Sequence, residues 1–289
     1  MTVRSAAPQQ MKKAGRSLAV RSGTATSRLR MLPAFLLAGA QRAGTTSLFR
    51  ALMTHPLILP ANFHKGVNYF DVNYHRGPDW YRGHFPLATV AQFRTRGLAG
   101  APVTFDASGY YLFHPLAGQR IGADLPQAKV LVMLRDPVER AYSAHKHELA
   151  RGFETEPFEQ ALALEDQRLA GQVERICAEP GYYSASHRHH AYRRRGHYAE
   201  QLLRLRESLP AAHILAVESE RFFSQPEAEY TRVLEFLELP VIMPARFDRY
   251  NGRPGSPMAD ATRAELQEHF APHDMALAEL LGREPVWMR

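Results

Sequence analysis

Residues 35–48 read FLLAGAQRAGTTSL, which is the pattern of a buried strand, a tight loop and the first turn of a helix. Phe35 to Ala38 form an apolar run of strand length. Gly39 and Gly44 bracket the loop, where the backbone must bend sharply or approach a ligand closely. Thr45 to Ser47 then place hydroxyls beside the free N–H groups of a helix N-terminus, a position that favours an anion. The segment therefore predicts a phosphate-binding loop.

This loop differs from the standard loop of nucleoside triphosphatases. The standard loop has glycine, four residues, a second glycine, and then lysine followed by serine or threonine. The spacing from Gly39 to Gly44 matches, but Thr45 stands at the lysine position, and Arg42 is the only cation in the loop. On this segment alone, a strand–turn–helix junction without a ligand is an equal alternative.

The net charge of +7 comes from the N-terminal tail. Residues 1–30 contain seven basic residues and no acidic residue. The chain has 36 basic and 29 acidic residues, so the remainder carries 29 of each and is formally neutral. We therefore expect a basic, disordered tail over residues 1–30, and one domain over residues 31–289 that does not bind nucleic acid.

Cysteine content and hydropathy exclude other classes of protein. Cys177 is the only cysteine, which excludes a disulfide framework and a cysteine-based metal site. The run HRHH at 187–190 lacks a partner carboxylate motif, so we predict no metal site. The best apolar run, Met31 to Ala40, is shorter than the roughly 20 residues of a membrane span, and no signal-peptide core precedes it. A cytoplasmic protein without a transmembrane segment is expected.

Buried strands and amphipathic helices alternate along the chain. Three later apolar runs predict strands, at 103–106, 129–134 and 214–217. Helices are expected over 45–54, 117–125, 138–149, 193–209 and 226–237, with two short helices before and after Pro272. The aromatic segment 74–85 fits a core better than a substrate platform. These elements indicate an α/β domain with a parallel sheet.

Charged residues follow the predicted strands at the edge where open α/β sheets bind ligands. Arg42, Asp106 and Arg135 each follow a strand, and Ser143 lies in the helix after Arg135. Arginine offers a planar fork of donors matched to phosphate oxygens, and serine adds one hydroxyl donor. Two anion-binding points on neighbouring units predict a nucleotide with phosphates at two places.

Two segments, QRAGTTSL at 41–48 and LRDPVERAYS at 134–143, resemble the two cofactor motifs of the sulfotransferase family. More specifically, they are similar to the branch that contains heparan sulfate sulfotransferases and their bacterial relatives. Further segments agree in the same order, namely Lys65 to Asp71, Asp106 to Tyr111, Arg195 to Tyr198 and Asn251 to Pro254. The resemblance extends over about residues 33–289.

This resemblance implies a P-loop-like α/β fold of three layers, with a central parallel sheet flanked by helices. It implies transfer of a sulfuryl group from 3′-phosphoadenosine 5′-phosphosulfate to a hydroxyl or amine of a carbohydrate, lipid or small-molecule acceptor, without a metal. The first loop would hold the 5′ phosphosulfate, Arg135 and Ser143 the 3′ phosphate, and Gly252 and Arg253 would close over the nucleotide. The donor-binding residues expected from the motifs are Gln41, Arg42, Ala43, Gly44, Thr45, Thr46, Ser47, Arg135, Ser143, Tyr198, Gly252 and Arg253.

The sequence departs from the family pattern at the catalytic groups. Arg42 stands where the family usually has lysine, and arginine neutralises charge but does not readily donate a proton. Gly66 replaces the glutamate that deprotonates the acceptor, and Ala107 replaces a lysine of the heparan branch. We expect Arg42 to be catalytic and the base to be another residue, with a structural hydrogen bond as the alternative role of each aspartate. The candidates for the base are Asp106, Asp71 and His64.

Two other functions fit part of the sequence. A P-loop kinase or NTPase would explain the first loop, but it predicts a lysine after Gly44, a Walker-B acid and Mg²⁺ dependence, and Asp136 is a poor Walker-B acid. A non-catalytic nucleotide-binding relative that has lost its base is compatible with Gly66 and Ala107. Binding of the donor without transfer to any acceptor would support that third interpretation.

Overall fold

The computed structural model describes residues 19–250 and 257–288. Five strands form one parallel sheet, namely β1 (Phe35–Gly39), β2 (Ile58–Pro60), β3 (Val103–Asp106), β4 (Lys129–Leu134) and β5 (Ile214–Glu218). Their order in the sheet is β2-β3-β1-β4-β5. The predicted α/β architecture with a central parallel sheet flanked by helices is confirmed.

Helices connect and cover these strands. The α-helices with both ends defined are α1 (Thr45–Leu52), α2 (Pro78–Arg82), α3 (Ala88–Arg94), α4 (Ala117–Asp124), α5 (Pro137–Leu149), α6 (Phe158–Ala163), α7 (Glu165–Leu169), α8 (Gln172–Ala178), α9 (Ala185–His189), α10 (Tyr198–Arg206), α11 (Ser219–Ser224), α12 (Pro226–Phe236) and α13 (Asp260–Leu281). Short 3₁₀ turns occur at Ser27–Leu29, Tyr74–Arg76, Arg194–Gly196, Ala211–His213 and Val286–Met288. Within the described ranges, none of the helices combines the length and the apolar character that crossing a membrane requires.

The strand order creates a ligand crevice beside the central strand. Within the sheet, β2 and β3 lie on one side of β1, and β4 and β5, which come later in the chain, lie on its other side. In open α/β sheets, ligands bind beyond the carboxyl ends of the strands where the order reverses. Here that point lies between the end of β1, at Gly39, and the end of β4, at Leu134.

The aromatic segment 74–85 contributes to the core, as the sequence predicts, and packs there with the preceding residues Tyr69 and Phe70. Tyr69, Phe70, Tyr81 and Phe85 are all buried. The rings of Tyr69 and Tyr81 stack with 4.4 Å between their centroids, and the ring of Phe70 meets Tyr81 edge-on. Offset and edge-on arrangements of this kind are the favoured ones for aromatic pairs, so the segment supports the fold instead of forming a platform.

The C-terminal region is one helix, whereas the sequence predicts two. Helix α13 continues through Pro272, which is exposed. A proline inside a helix costs about 3 kcal/mol, because it removes a hydrogen bond and its ring meets the preceding turn. The buried side chains of Leu266, Phe270 and Leu277 lie on both sides of the proline and pack against the body of the protein. Their burial offsets the cost, and the helix is not divided.

Residues 19–30 differ from the disordered tail that their composition predicts. Residues 19–25 are helical, and Ser27 donates to Asp79 over 2.7 Å. Arg30 donates to the carbonyl of Phe85 over 2.7 Å, and Arg82 donates to the carbonyl of Arg30 over the same distance. These hydrogen bonds join residues 27–30 to the domain, a long-range pairing that composition does not reveal.

Candidate functional site

A cavity of about 680 Å³ lies at the carboxyl ends of β1 and β4. Seven of the predicted donor-binding residues line it, namely Gln41, Arg42, Gly44, Thr45, Thr46, Arg135 and Ser143. Its lining also contains Lys65, Lys146 and Arg249, so that five cationic side chains in all face it. Trp287, near the C-terminal end of the described residues, also contributes to the wall. The chemistry of the lining suits a polyanionic ligand with an aromatic base.

The first loop turns sharply at Gly44 and leads directly into α1. Gly44 has a φ of 85°, in the left-handed region that favours glycine. An added Cβ would lie 3.0 Å from the hydroxyl oxygen of Ser219. The next two residues, Thr45 and Thr46, begin α1 and line the cavity. The free N–H groups of the α1 N-terminus therefore lie at the same end of the cavity as the cationic side chains, and both favour an anion there.

Lys65 supplies a second cation to the phosphate-binding loop. Its Nζ lies 3.3 Å from the hydroxyl oxygens of both Thr45 and Thr46. Burial, aided by the nearby Arg50, lowers the pKa of Lys65 to about 8. Lys65 belongs to a separate segment of the sequence. The fold brings it beside Thr45, which stands where the standard loop has lysine.

Arg42, Ser143 and Arg135 lie together at the carboxyl ends of β1 and β4. Arg42 Nε donates to Ser143 Oγ over 3.0 Å, and Arg135 donates to the carbonyl of Arg42 over 3.4 Å. Tyr198 does not line the cavity, but its hydroxyl donates to the carbonyl of Arg135 over 2.8 Å. The contact of Tyr198 is therefore with the strand end that carries Arg135.

The other expected donor-binding residues have different positions. Ala43 and Ser47 are buried and lie outside the cavity lining. Ser47 Oγ accepts from the backbone N–H of Tyr250 over 3.0 Å, which ties α1 to the segment before residue 251. Gly252 and Arg253 fall outside the described residues.

Asp106, the first candidate for the base, has a different environment from the one expected. It is completely buried, and its carboxylate accepts hydrogen bonds from the backbone of Val67 and from the hydroxyls of Ser108, Tyr111 and Tyr81. Burial raises the pKa of Asp106 despite these hydrogen bonds. Because both oxygens are engaged and neither faces the cavity, the contacts favour the structural role that the sequence left as the alternative.

Asp71 and His64 also lie outside the two cavity linings described for this edge. Asp71 is buried, and one carboxylate oxygen accepts from the backbone of Val72 over 2.6 Å. Burial raises the pKa of Asp71 to about 7. His64 is exposed. Neither position favours direct contact with a ligand in the cavity.

Gly66 has no space for the glutamate that the family pattern places there. A Cβ at this residue would lie 2.5 Å from the carbonyl oxygen of Ala107 and 2.6 Å from the hydroxyl oxygen of Ser108. Contacts this short with backbone require the two segments to separate. The base must therefore come from another segment if the acceptor is to be deprotonated by the protein.

A second cavity, of about 410 Å³, adjoins the first and shares Gln41 and Gly109 with it. Three arginines and three aromatic residues line it, namely Arg151, Arg188, Arg195, Tyr110, Phe153 and Tyr183. His189 also belongs to the lining. This cavity combines positive charge with flat aromatic surfaces, next to the loop that would hold the transferred group.

Gln41 connects the two cavities through a hydrogen-bond network. Its side-chain nitrogen donates to Glu148 over 2.8 Å, and its side-chain oxygen accepts from the buried Arg195 over 2.9 Å. The other oxygen of Glu148 lies 2.9 Å from Nδ1 of His189. Burial raises the pKa of Glu148, but the hydrogen bond from His189 and the positive charge of Arg151 outweigh burial and lower the pKa.

The sequence did not identify the pair of Glu148 and His189. His189 lies in the run HRHH, whose composition raised only the question of a metal site, and Glu148 occupies the last turn of α5. The two residues are 41 positions apart. The sequence indicated this site only by the many histidines and arginines between α8 and α10. Which carboxylate pairs with His189 depends on tertiary packing.

Asp136 has a structural contact in place of the metal-binding role that a kinase would require. Its carboxylate caps α5 by accepting from the backbone N–H of Val138 over 2.9 Å. Its own backbone N–H donates to Glu220 over 3.1 Å. Together with Thr45 at the lysine position, this arrangement does not favour the kinase or NTPase alternative.

Comparison with known proteins agrees with the motifs. The model of the sulfotransferase domain matches residues 32–252. Human bifunctional heparan sulfate N-deacetylase/N-sulfotransferase 2 is 27% identical over 295 residues, and the mouse protein of the same name is 29% identical over 289 residues. Each alignment covers 89% of this chain and 31% of the relative, so the chain spans about a third of the length of these curated relatives.

A solved structure extends the comparison to the fold. A sulfotransferase from Alicyclobacillus acidocaldarius has a TM-score of 0.67 and 28% sequence identity, and the match covers 89% of this chain and 99% of that one. The P-loop-like fold expected from the sequence is therefore confirmed. The domain match also covers most of the chain, including the first loop, Lys65, Arg135 and Ser143. The chain belongs to the sulfotransferase family.

Proposed function

We propose that this chain binds 3′-phosphoadenosine 5′-phosphosulfate in the larger cavity and transfers its sulfuryl group to an acceptor in the smaller one. The observation that carries the proposal is that two cation-lined cavities meet at Gln41, directly beside a phosphate-binding loop. The transfer is an in-line displacement, in which the acceptor oxygen or nitrogen forms a bond to sulfur as the bond from sulfur to the phosphate oxygen breaks. Catalysis of this kind rests on positioning and on charge stabilisation.

The donor would lie with its phosphosulfate at the first loop and its 3′ phosphate near Arg135 and Ser143. The α1 N-terminus and Arg42 favour the phosphosulfate through N–H groups and positive charge. Phe223, Tyr250 and Trp287 offer flat surfaces to the adenine base in the same cavity. Gly252 and Arg253 lie two and three residues after Tyr250 in the chain, as a loop that closes over the same cavity would require.

Lys65 and Arg42 would share the stabilisation of the leaving group. Negative charge develops on the phosphate oxygen as the bond to sulfur breaks, and fixed cations at that oxygen lower the barrier. Arg42 can neutralise this charge but does not readily donate a proton. Lys65, with a pKa of about 8, can do both near neutral pH. The lysine of the separate segment thus performs the task that the loop arginine cannot.

His189 is our proposed base for the acceptor. The Glu148 carboxylate accepts a hydrogen bond from Nδ1–H of His189 and so orients the imidazole. The other ring nitrogen, Nε2, is then the one that takes a proton. Nε2 lies 2.9 Å from the hydroxyl of Tyr183. An acceptor hydroxyl that replaced this phenol would transfer its proton to Nε2 as its oxygen attacked sulfur. The electron pair of the broken bond would remain on the 5′ phosphate of the nucleotide product.

The acceptor that fits the second cavity is a hydroxylated or aminated molecule with a negatively charged group. Arg151, Arg188 and Arg195 would pair with such a group, and Tyr110 and Tyr183 would pack against sugar rings or other flat surfaces. The curated relatives named above carry heparan sulfate in their names. An acidic carbohydrate is therefore the first acceptor class to examine, ahead of a lipid or an uncharged small molecule.

The first test is the binding of 3′-phosphoadenosine 5′-phosphate by calorimetry without Mg²⁺. We expect micromolar affinity in the wild type and at least about 10-fold weaker binding in Arg135→Ala, a loss of about 1.4 kcal/mol. Arg96→Ala, which changes an exposed arginine outside the cavity lining, is the matched control and should bind as the wild type does. Binding of ATP with Mg²⁺ in place of this nucleotide would contradict the proposal.

A further inference from the structure

Three histidines from two helical segments meet away from both cavities. They are His197, which directly precedes α10, and His269 and His273 on α13. One ring nitrogen from each histidine can be chosen so that the three nitrogens lie within 4.8 Å of one another. His269 and His273 are four residues apart, so they share one face of the helix. Neither of the functions proposed above uses this cluster.

The imidazole nitrogens lie close to the spacing that a shared metal ion requires. His197 Nε2 and His269 Nε2 are 3.0 Å apart. Two nitrogens bound to one tetrahedral zinc ion at about 2.05 Å would be about 3.3 Å apart. The ring of His273 lies parallel to that of His197 with 3.5 Å between centroids. A shift of a few tenths of an ångström at His269 and a turn of the His273 ring would bring the three donors to one ion.

A carboxylate supports the histidines from the outside. Glu200 lies 3.4 Å from Nδ1 of His197 and 3.8 Å from Nδ1 of His273. In protein metal sites, a ligating histidine almost always donates its other ring N–H to a carboxylate, a carbonyl or water, which fixes the nitrogen that faces the metal. Glu200 lies on the Nδ1 side of His197, and the Nε2 atom of His197 is the one directed at His269.

The protonation state of the histidines and their access to solvent also suit the binding of a metal ion. Burial, together with the neighbouring His273 and His269, lowers the pKa of His197 to about 3, so the ring is neutral at physiological pH, as a metal ligand must be. Burial also lowers the pKa of His269. His197 is buried, whereas His269 and His273 are half-buried, so an ion can enter from the solvent side.

We propose that His197, His269 and His273 form a zinc site, in which a water molecule completes a tetrahedron. The ion would fasten α13 to the start of α10. The residue after His197 is Tyr198, which holds the strand end at Arg135, and α13 leads to Trp287 in the cavity wall. The site is structural and takes no part in sulfuryl transfer. It was not evident from the sequence, because 72 positions separate His197 from His269.

Zinc and cobalt binding to the full-length protein, without an affinity tag and freed of metal with a chelator, tests this proposal. Calorimetry should show one Zn²⁺ per chain, and Co²⁺ should give the intense visible bands of a four-coordinate ion. His269→Ala and His273→Ala should each weaken Zn²⁺ binding at least about 100-fold, and Glu200→Gln about 10-fold. His75→Ala, which alters an exposed histidine elsewhere, should bind as the wild type does.

Thermal unfolding of the same proteins provides a second readout. Zn²⁺ should raise the melting temperature of the wild type and of His75→Ala, because an ion bound only by the folded state stabilises it. It should not raise that of His269→Ala, whose fold is checked by circular dichroism without metal. Uptake far below one equivalent by the wild type, or equal affinity in the wild type and His269→Ala, would overturn the proposal.

Discussion

Lys65 changes the interpretation of the phosphate-binding loop. From the sequence, Arg42 is the only cation that the loop itself provides. In the structure, the ammonium group of Lys65 reaches both threonines at the start of α1 and is largely removed from water. A charged group held in this way weakens the free protein, because its hydration is lost before the anionic ligand replaces it. Function and stability therefore oppose each other at this residue.

Replacing Lys65 with methionine should stabilise the protein at pH 7 and slow transfer about 100-fold. Each pKa unit corresponds to about 1.4 kcal/mol, so the gain in the free energy of unfolding is at most about 3 kcal/mol. The pKa is about 8 in the folded protein and near 10.5 when unperturbed, so the unfolded chain binds more protons between these values. The stability of the wild type should rise over that range and the advantage of the variant should fade.

Urea unfolding at pH 7 and pH 10 measures this effect. Lys65→Arg is the matched control, because its charge persists at both pH values and it should show no such gain. A Lys65→Met protein that is less stable than the wild type at pH 7, or whose difference from it does not change with pH, would contradict the burial of a charged lysine.

His189 is the residue on which the proposed transfer step depends. His189→Asn should lower kcat by about 100-fold to 10,000-fold, the range for loss of a general base, with unchanged affinity for 3′-phosphoadenosine 5′-phosphate. His75→Asn should retain wild-type activity. The measurement is sulfuryl transfer from labelled donor to a panel of acidic carbohydrates. Full activity in His189→Asn would exclude it as the base, and donor binding with no transfer in the wild type would favour the non-catalytic alternative.

At the scale of elements, local pattern predicted the parts of the site that are continuous in sequence. The end of β1, the start of α1, and Arg135 with Ser143 follow from apolar runs, glycine spacing and helix periodicity. The position of Asp106 at the end of a strand was predicted correctly, but its four hydrogen-bond donors come from three separate segments. Its role therefore could not be read from the sequence, because it depends on which groups packing delivers to the carboxylate.

Helix α13 illustrates the same limit for helix boundaries. Proline at position 272 predicts a break, because proline destabilises the interior of a helix. The apolar face of the helix packs on both sides of Pro272 and outweighs that cost. As a result, His269 and His273 remain on one continuous helix and reach His197 together. A division at the proline would have separated the two histidines and with them the proposed zinc site.

At the scale of the whole molecule, the order of the strands brings the functional segments together. The central position of β1 places its loop beside the end of β4, while Lys65 arrives from the β2 side and α5 carries Ser143 and Glu148. The sequence predicted the parallel sheet and the binding of a nucleotide at its carboxyl edge. It did not predict the second cavity, whose walls come from the segments around residues 68, 110, 151 and 188 and exist only after packing.

The shared boundary of the two cavities at Gln41 and Gly109 has a consequence for steady-state kinetics. Donor and acceptor can occupy adjoining spaces at the same time, so the sulfuryl group need not rest on the enzyme between them. Initial rates measured against both substrates should therefore give intersecting double-reciprocal lines, and the nucleotide product should compete with the donor. Parallel lines would indicate a sulfated enzyme intermediate and an exchange of substrates through one space.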